Sequence, residues 1–114
     1  MKIGEVKELL NAEILCGEDK LDEQVYSAFG SDMMSDVLAF VTEQGMLMTG
    51  LLNPQVVRTA VMMDMKCIVF VRGKLPTEDV VKLADESGLV VLATKEKLYF
   101  ACGILYENGL KGGQ

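Results

Sequence analysis

The sequence contains no histidine, no tryptophan and only two prolines, and aromatic residues make up 6% of it. Each shortage excludes something. Without histidine the chain lacks the commonest general base near neutral pH and the commonest metal ligand. Ser-His-Asp and Cys-His catalytic arrangements are excluded outright. The three cysteines, Cys16, Cys67 and Cys102, are odd in number and dispersed, and no CxxC pair occurs. That pattern is neither a disulfide framework nor the local signature of a zinc or iron–sulfur site, so no cofactor is expected. No apolar run approaches the roughly 18–20 residues of a membrane-spanning helix. Met1-Lys2-Ile3-Gly4-Glu5 lacks a charged region followed by an apolar one, so no signal peptide is expected and the chain reads as cytoplasmic. Basic residues are in the minority, eleven Lys and Arg against seventeen Asp and Glu, for a net charge of −6. Nucleic acid and anionic membrane are therefore not expected as partners.

What is present suffices for a folded domain. Of 114 residues, 50% are hydrophobic and 25% charged. That balance predicts one domain with a real core, over residues 1–108, and a flexible tail at 109–114.

Ile3, Val6, Leu9 and Leu10 recur at helical spacing. Ala12 to Cys16 reads as a short strand ending at Gly17, and Gly17 to Lys20 as a turn. Gln24 to Gly30 reads as a second extended segment. Ser31 or Asp32 is expected to cap a helix whose apolar stripe is Met34, Val37, Leu38 and Val41. Met46 to Gly50 reads as a strand. Asn53-Pro54 is a cap followed by proline at the first helical position, with the helix running to about Asp64. Cys67 to Val71 is a strand, and Arg72-Gly73-Lys74 a loop. Thr77 is expected to cap a helix with Glu78 and Asp79 in its first turn, ending at Gly88. Leu89 to Ala93 is another strand. Thr94 is expected to cap the last helix, which ends near Gly109.

The second half thus alternates strand and helix, and its strands are continuously apolar. This predicts an α/β fold: a mainly parallel sheet with flanking helices. The short strands of the first half have no assigned place in it.

The helix at 77–87 is one-sided, with Val80, Val81, Leu83 and Ala84 against Lys82, Asp85 and Glu86. The helix from Pro54 and the last helix, with Leu98, Tyr99, Phe100, Ala101, Cys102, Ile104 and Leu105, are apolar on more than one side. A homodimer that buries the extra face is favoured over cover by flanking segments of the same chain.

Arg72-Gly73-Lys74 follows a strand and precedes a helix. Ligands of open α/β sheets bind beyond the carboxyl ends of the strands. Thr49, Gly50, Asn53 and Thr94 are predicted at the same edge, where backbone N–H groups and two cations can hold a phosphate or carboxylate. The competing reading is a solvated loop with three helix caps. Asp32, Ser35 and Asp36 are a candidate Mg²⁺ cluster, weighed against capping and dipole compensation. Of eight methionines, seven lie between Met33 and Met65, either as an adaptable surface or as core filler. Buried free thiols are the default reading of the cysteines. Ligation of a cluster would require Cys16, Cys67 and Cys102 to converge.

In order, Val6-Lys7-Glu8-Leu9-Leu10, Ala12 to Gly17, Leu21-Asp22, Val25, Gly30 to Leu38, Thr49-Gly50, Cys67 to Pro76, Leu83-Ala84 and Val90 to Thr94 resemble the DRTGG domain family from about Ile3 to Glu107. The resemblance departs at Glu23, where arginine is expected, and at Val71-Arg72-Gly73, where Thr-Gly-Gly is expected. It implies a fold similar to the N-terminal domain of HPr kinase/phosphorylase. It also implies a non-catalytic regulatory or interaction module, of the kind found in some pyrophosphatases and phosphotransacetylases. A kinase label has no motif behind it: Gly73-Lys74 is followed by Leu75, and no glycine precedes Gly73 by five residues. The expected function is a homodimeric module sensing a small anionic or phosphorylated ligand. The alternative implied by the resemblance is an accessory subunit of an iron–sulfur or hydrogenase-related redox assembly, with a redox enzyme as its partner.

Overall fold

The computed structural model describes residues 1–41 and 45–111. In chain order the elements are α1 (Ile3–Leu9), β1 (Glu13–Cys16), a 3-10 turn (Glu18–Lys20), β2 (Ala28–Gly30), α2 (Met34–Phe40), β3 (Met46–Thr49), α3 (Pro54–Met62), β4 (Cys67–Phe70), α4 (Glu78–Glu86), β5 (Val90–Ala93) and α5 (Leu98–Glu107). The five strands form one sheet in the order β1-β5-β4-β3-β2. Strands β2 to β5 are parallel, and β1 pairs antiparallel with β5.

The parallel strands are adjacent in chain order because β2, β3 and β4 are each followed by a helix that returns over the same face. Helices α2, α3 and α4 bury Met34, Val37, Val56, Val57, Ala60, Val80 and Ala84 against Leu47, Ile68, Phe70 and Val91. The other face carries α1 and α5, whose Ile3, Val6, Ala101 and Leu105 pack on Met46, Met48, Cys67, Val69, Val90 and Leu92. Successive strand residues point to opposite faces, so one continuous apolar run supplies both cores. Every residue of β3, β4 and β5 is buried, which is why their sequences show no alternation of polar and apolar residues.

Local signals placed α3 and the end of α4. Asn53 Oδ1 accepts the Gln55 N–H at 3.1 Å, and Pro54 opens α3. Gly88 follows α4 with φ +80°. Two expected caps are corrected, and a third stands in place without its side-chain bond. The residue before α2 is Met33, not Ser31 or Asp32, and it caps with no side chain. Thr77 stands at the N-cap of α4, but its hydroxyl makes no capping bond. Thr94 lies well before α5, whose N-cap is Lys97. Its hydroxyl instead donates to the Leu10 carbonyl at 2.8 Å and accepts from the Glu96 N–H at 3.2 Å. The α2 stripe is narrower than expected: Met34 and Val37 are buried, whereas Leu38 is exposed.

The first-half strands form the two edges of the sheet. A register shift between Ile14 and Cys16 bends β1. Gly17 then turns the chain at φ +84°, where a Cβ would lie 2.8 Å from Val90 Cα. Leu110 is buried against the α1–α5 core. Of the expected tail, residues 112–114 lie outside the described residues.

Candidate functional site

The carboxyl ends of β2 to β5 share one edge of the sheet, so Ser31, Thr49, Gly50, Val71 and Thr94 come together there. Two arrangements of side chains occupy this edge.

At the β3–β4 corner, Asp32 is the centre. Its Oδ1 accepts the Gly50 N–H at 2.7 Å and the Thr49 hydroxyl at 3.1 Å. Its Oδ2 accepts from Arg72 Nη2 at 3.3 Å. Thr49 Oγ1 in turn accepts the Leu51 N–H at 3.1 Å. Arg72 lies flat across Gly50, where a Cβ would fall 2.0 Å from Nη2 and 2.5 Å from Cζ. A Cβ there would push the guanidinium aside. Arg72 itself is left-handed, at φ +69°, and its N–H donates to the Glu96 carbonyl at 2.8 Å. The Arg72 and Asp32 side chains are 45% and 46% exposed, so water reaches the pair.

At the β4–β5 corner, the loop after β4 leaves toward α4 on one face and the loop after β5 toward α5 on the other. Loops that diverge in this way open a crevice beyond the strand ends. Here it has a volume of about 610 Å³ and is lined by Leu10, Asn11, Glu13, Gly73, Leu75, Ala93, Thr94, Lys95 and Glu96. The Gly73 N–H donates to the Thr94 carbonyl at 3.0 Å and closes its floor.

The seven residues expected at the site therefore divide. Thr49, Gly50 and Arg72 meet around Asp32, and Gly73 and Thr94 line the crevice. Asn53 caps α3, and Lys74 is exposed on the loop beside the crevice. Asn11, Glu13, Lys95 and Glu96 were missed. Glu96 and Lys95 were within reach of sequence reasoning, since they follow Thr94 directly; Asn11, in the turn after α1, and Glu13, at the start of the antiparallel edge strand, carried no signal. Asp32 had been read as a helix cap or Mg²⁺ ligand, and both of its oxygens instead face hydrogen-bond donors. Among the described residues no three Cys, Asp or Glu side chains form a metal-binding group.

The cysteines stay apart in role. Burial pushes the Cys67 thiol far above its ordinary range. Burial also raises Cys16 and Cys102, with the Asp85 carboxylate adding to the effect at Cys16. Cys16 Sγ donates to the Leu89 carbonyl at 3.4 Å. Each shift favours the protonated thiol, the form that is neither nucleophile nor metal ligand. No helix among the described residues is long and apolar enough to cross a membrane.

Comparison with known proteins agrees with this architecture. No curated protein matches the chain. The crystal structure of the CBS and DRTGG domains of the regulatory region of a Clostridium perfringens pyrophosphatase, complexed with its activator diadenosine tetraphosphate, superimposes with a TM-score of 0.74. Identity is 15%, over 91% of this chain and 45% of that one, so the chain spans less than half of that region. The model of the DRTGG domain matches residues 5–106, and the chain belongs to the DRTGG domain family.

Proposed function

We propose that this chain is a non-catalytic regulatory module that senses a small anionic or phosphorylated ligand at the carboxyl edge of its sheet. One observation carries the reading. In a chain of net charge −6, four of the eleven cations, Arg72, Lys74, Lys95 and Lys97, lie on the two loops that bound the crevice, and of these Lys95 lines it, beside Glu13 and Glu96. A pocket of about 610 Å³ suits a nucleotide-sized ligand. Support also comes from the neighbour, in which a DRTGG domain stands in a regulatory region crystallised with a dinucleotide activator. The absence of histidine and the protonated state of the thiols favour binding over catalysis.

The test is thermal denaturation with ATP, AMP and diadenosine tetraphosphate at constant ionic strength. A ligand at a hundred times its Kd raises Tm by about 10 °C for a domain of this size. Arg72→Ala and Lys95→Ala are expected to abolish or halve that rise. No rise with any nucleotide, or rises unchanged in both variants, would overturn the reading.

A second copy of the chain is the proposed partner, through α5. Tyr99, Phe100 and Tyr106 are 84%, 60% and 58% exposed. Gly103 lies among them on the helix, and a Cβ added there would meet nothing within 4 Å. Glycine inside a helix costs about 0.5–1 kcal/mol relative to alanine. Nothing within the chain requires it, whereas close approach of a second helix would. An antiparallel crossing of two α5 helices also brings Lys97 of one copy toward Glu107 of the other. Sedimentation equilibrium at low micromolar concentration is expected to give a dimer, and Gly103→Arg a folded monomer. A monomeric native chain would remove this part of the proposal. The hydrogenase-related alternative would need most of any cluster's ligands from another chain, since no three candidate side chains gather here among the described residues.

A further inference from the structure

The donors around Asp32 form a set that recognises oxyanions in general: a backbone N–H from Gly50, a hydroxyl from Thr49 and a guanidinium from Arg72. The Thr49 hydroxyl and the Gly50 N–H stand at the end of β3, where the sheet fixes them without help from Asp32, and the half-exposed Arg72 guanidinium reaches them from the loop after β4. Thr49 and Gly50 are buried, and Gly50 leaves the space in which the guanidinium lies. The acceptor differs from the two buried donors. Asp32 sits on the loop between β2 and α2, half exposed, and its side chain caps no helix. Two donors fixed by the sheet and a half-exposed guanidinium are thus met by an acceptor on a loop that can leave without breaking a secondary-structure element.

We infer that these three donors are an oxyanion site for a phosphate monoester, and that Asp32 is its resting occupant, an internal stand-in for the ligand. This deepens the ligand reading above and rests on it. The stand-in also selects the ligand class. Asp32 already offers a carboxylate at the high effective concentration of a tethered group. A carboxylate ligand has little to gain by replacing it. A phosphate monoester brings a second negative charge and a third oxygen to the same guanidinium. Its arrival exchanges one acceptor for another and leaves no donor unpaired. The displaced Asp32 frees the loop that leads into α2, so ligand binding and the position of that loop become coupled.

The test uses the full chain, inorganic phosphate as the probe, and calorimetric titration at constant ionic strength. If Asp32 occupies the site at least about nine-tenths of the time, its removal tightens phosphate binding about tenfold or more. Asp32→Ala is therefore expected to bind phosphate at least that much more tightly than the native chain, and acetate detectably. Asp32→Ala/Arg72→Ala is expected to lose the gain. Should Asp32→Ala fail to fold, Asp32→Asn keeps an acceptor for Gly50 and Thr49 while leaving Arg72 unpaired; it is expected to gain phosphate affinity that Asp32→Asn/Arg72→Ala lacks. Folded Asp32 variants that bind phosphate no better than the native chain overturn the inference, as does a gain that survives loss of Arg72. The two readings fail separately. Nucleotide binding by the native chain with no phosphate gain in the Asp32 variants leaves the sensing role and removes the stand-in. A phosphate gain with no nucleotide bound by the native chain does the reverse.

Discussion

The two corners of the carboxyl edge are tied by different chemistry. At the β4–β5 corner a buried neutral hydroxyl, that of Thr94, bridges the Leu10 carbonyl and the Glu96 N–H. At the β3–β4 corner an ion pair between Asp32 and Arg72 does the tying, with nearly half of each side chain in water. A buried neutral bond has no competitor in solvent, and its loss leaves a polar group stranded. A half-exposed charged bond competes with every anion that arrives, and water partly compensates its loss. One corner is thus built to persist and the other to exchange.

The sharpest way to break this contrast is Thr94→Val, which keeps shape and removes both bonds. It is expected to lower stability by about 2–3 kcal/mol, read from the midpoint of urea unfolding with the slope unchanged. A loss below that of Asp32→Ala would reverse the comparison. Next comes alkaline pH, which should move both corners together because both hang on β4, and β4 begins at the buried Cys67. Its thiol titrates in the unfolded chain near 8.5 but is held protonated in the fold. Above that pH the unfolded state binds fewer protons than the native state, so stability is full below about pH 8.5 and falls as pH rises. The Cys67 share of the loss at pH 10 is about 2 kcal/mol, and Cys67→Ala is expected to make the slope shallower, leaving the share of Cys16 and Cys102, even though its cavity lowers stability throughout. Asp32→Ala follows, at about 1 kcal/mol, mostly from the Gly50 N–H left unpaired; added phosphate should restore it, while phosphate should do nothing for Thr94→Val. The smallest change is expected for Arg72→Gly. Relief of a left-handed non-glycine residue offsets the lost ion pair, so stability should move by less than about 0.5 kcal/mol while the Asp32 corner loses its charge.

Much of the fold was legible because its determinants are local. Asn53-Pro54 starts a helix wherever it stands, Gly88 ends one, and Cys67 to Phe70 and Val90 to Ala93 are apolar runs too short for helices and too uniform for one-sided strands. The misreadings have one source. Ser31, Asp32 and Thr94 are all residue types that cap helices, and composition cannot say whether a nearer or better partner exists. Asp32 finds Gly50 and Arg72, 18 and 40 positions away, and Thr94 finds Leu10, 84 positions away. The direction of β1 was also hidden, since four residues, one exposed and three half-covered, pair equally well either way.

The sequence by itself determined that there would be a mainly parallel α/β domain with no histidine chemistry, because strand burial and helix termini are written in neighbouring residues. It also put Thr49, Gly50, Arg72 and Thr94 on one edge, because every parallel strand ends there. Only the tertiary structure decided which of them touch. Hydrogen-bond partners are chosen by distance in space, and the twist and order of the sheet brought Asp32, rather than solvent, to the donors of β3 and β4.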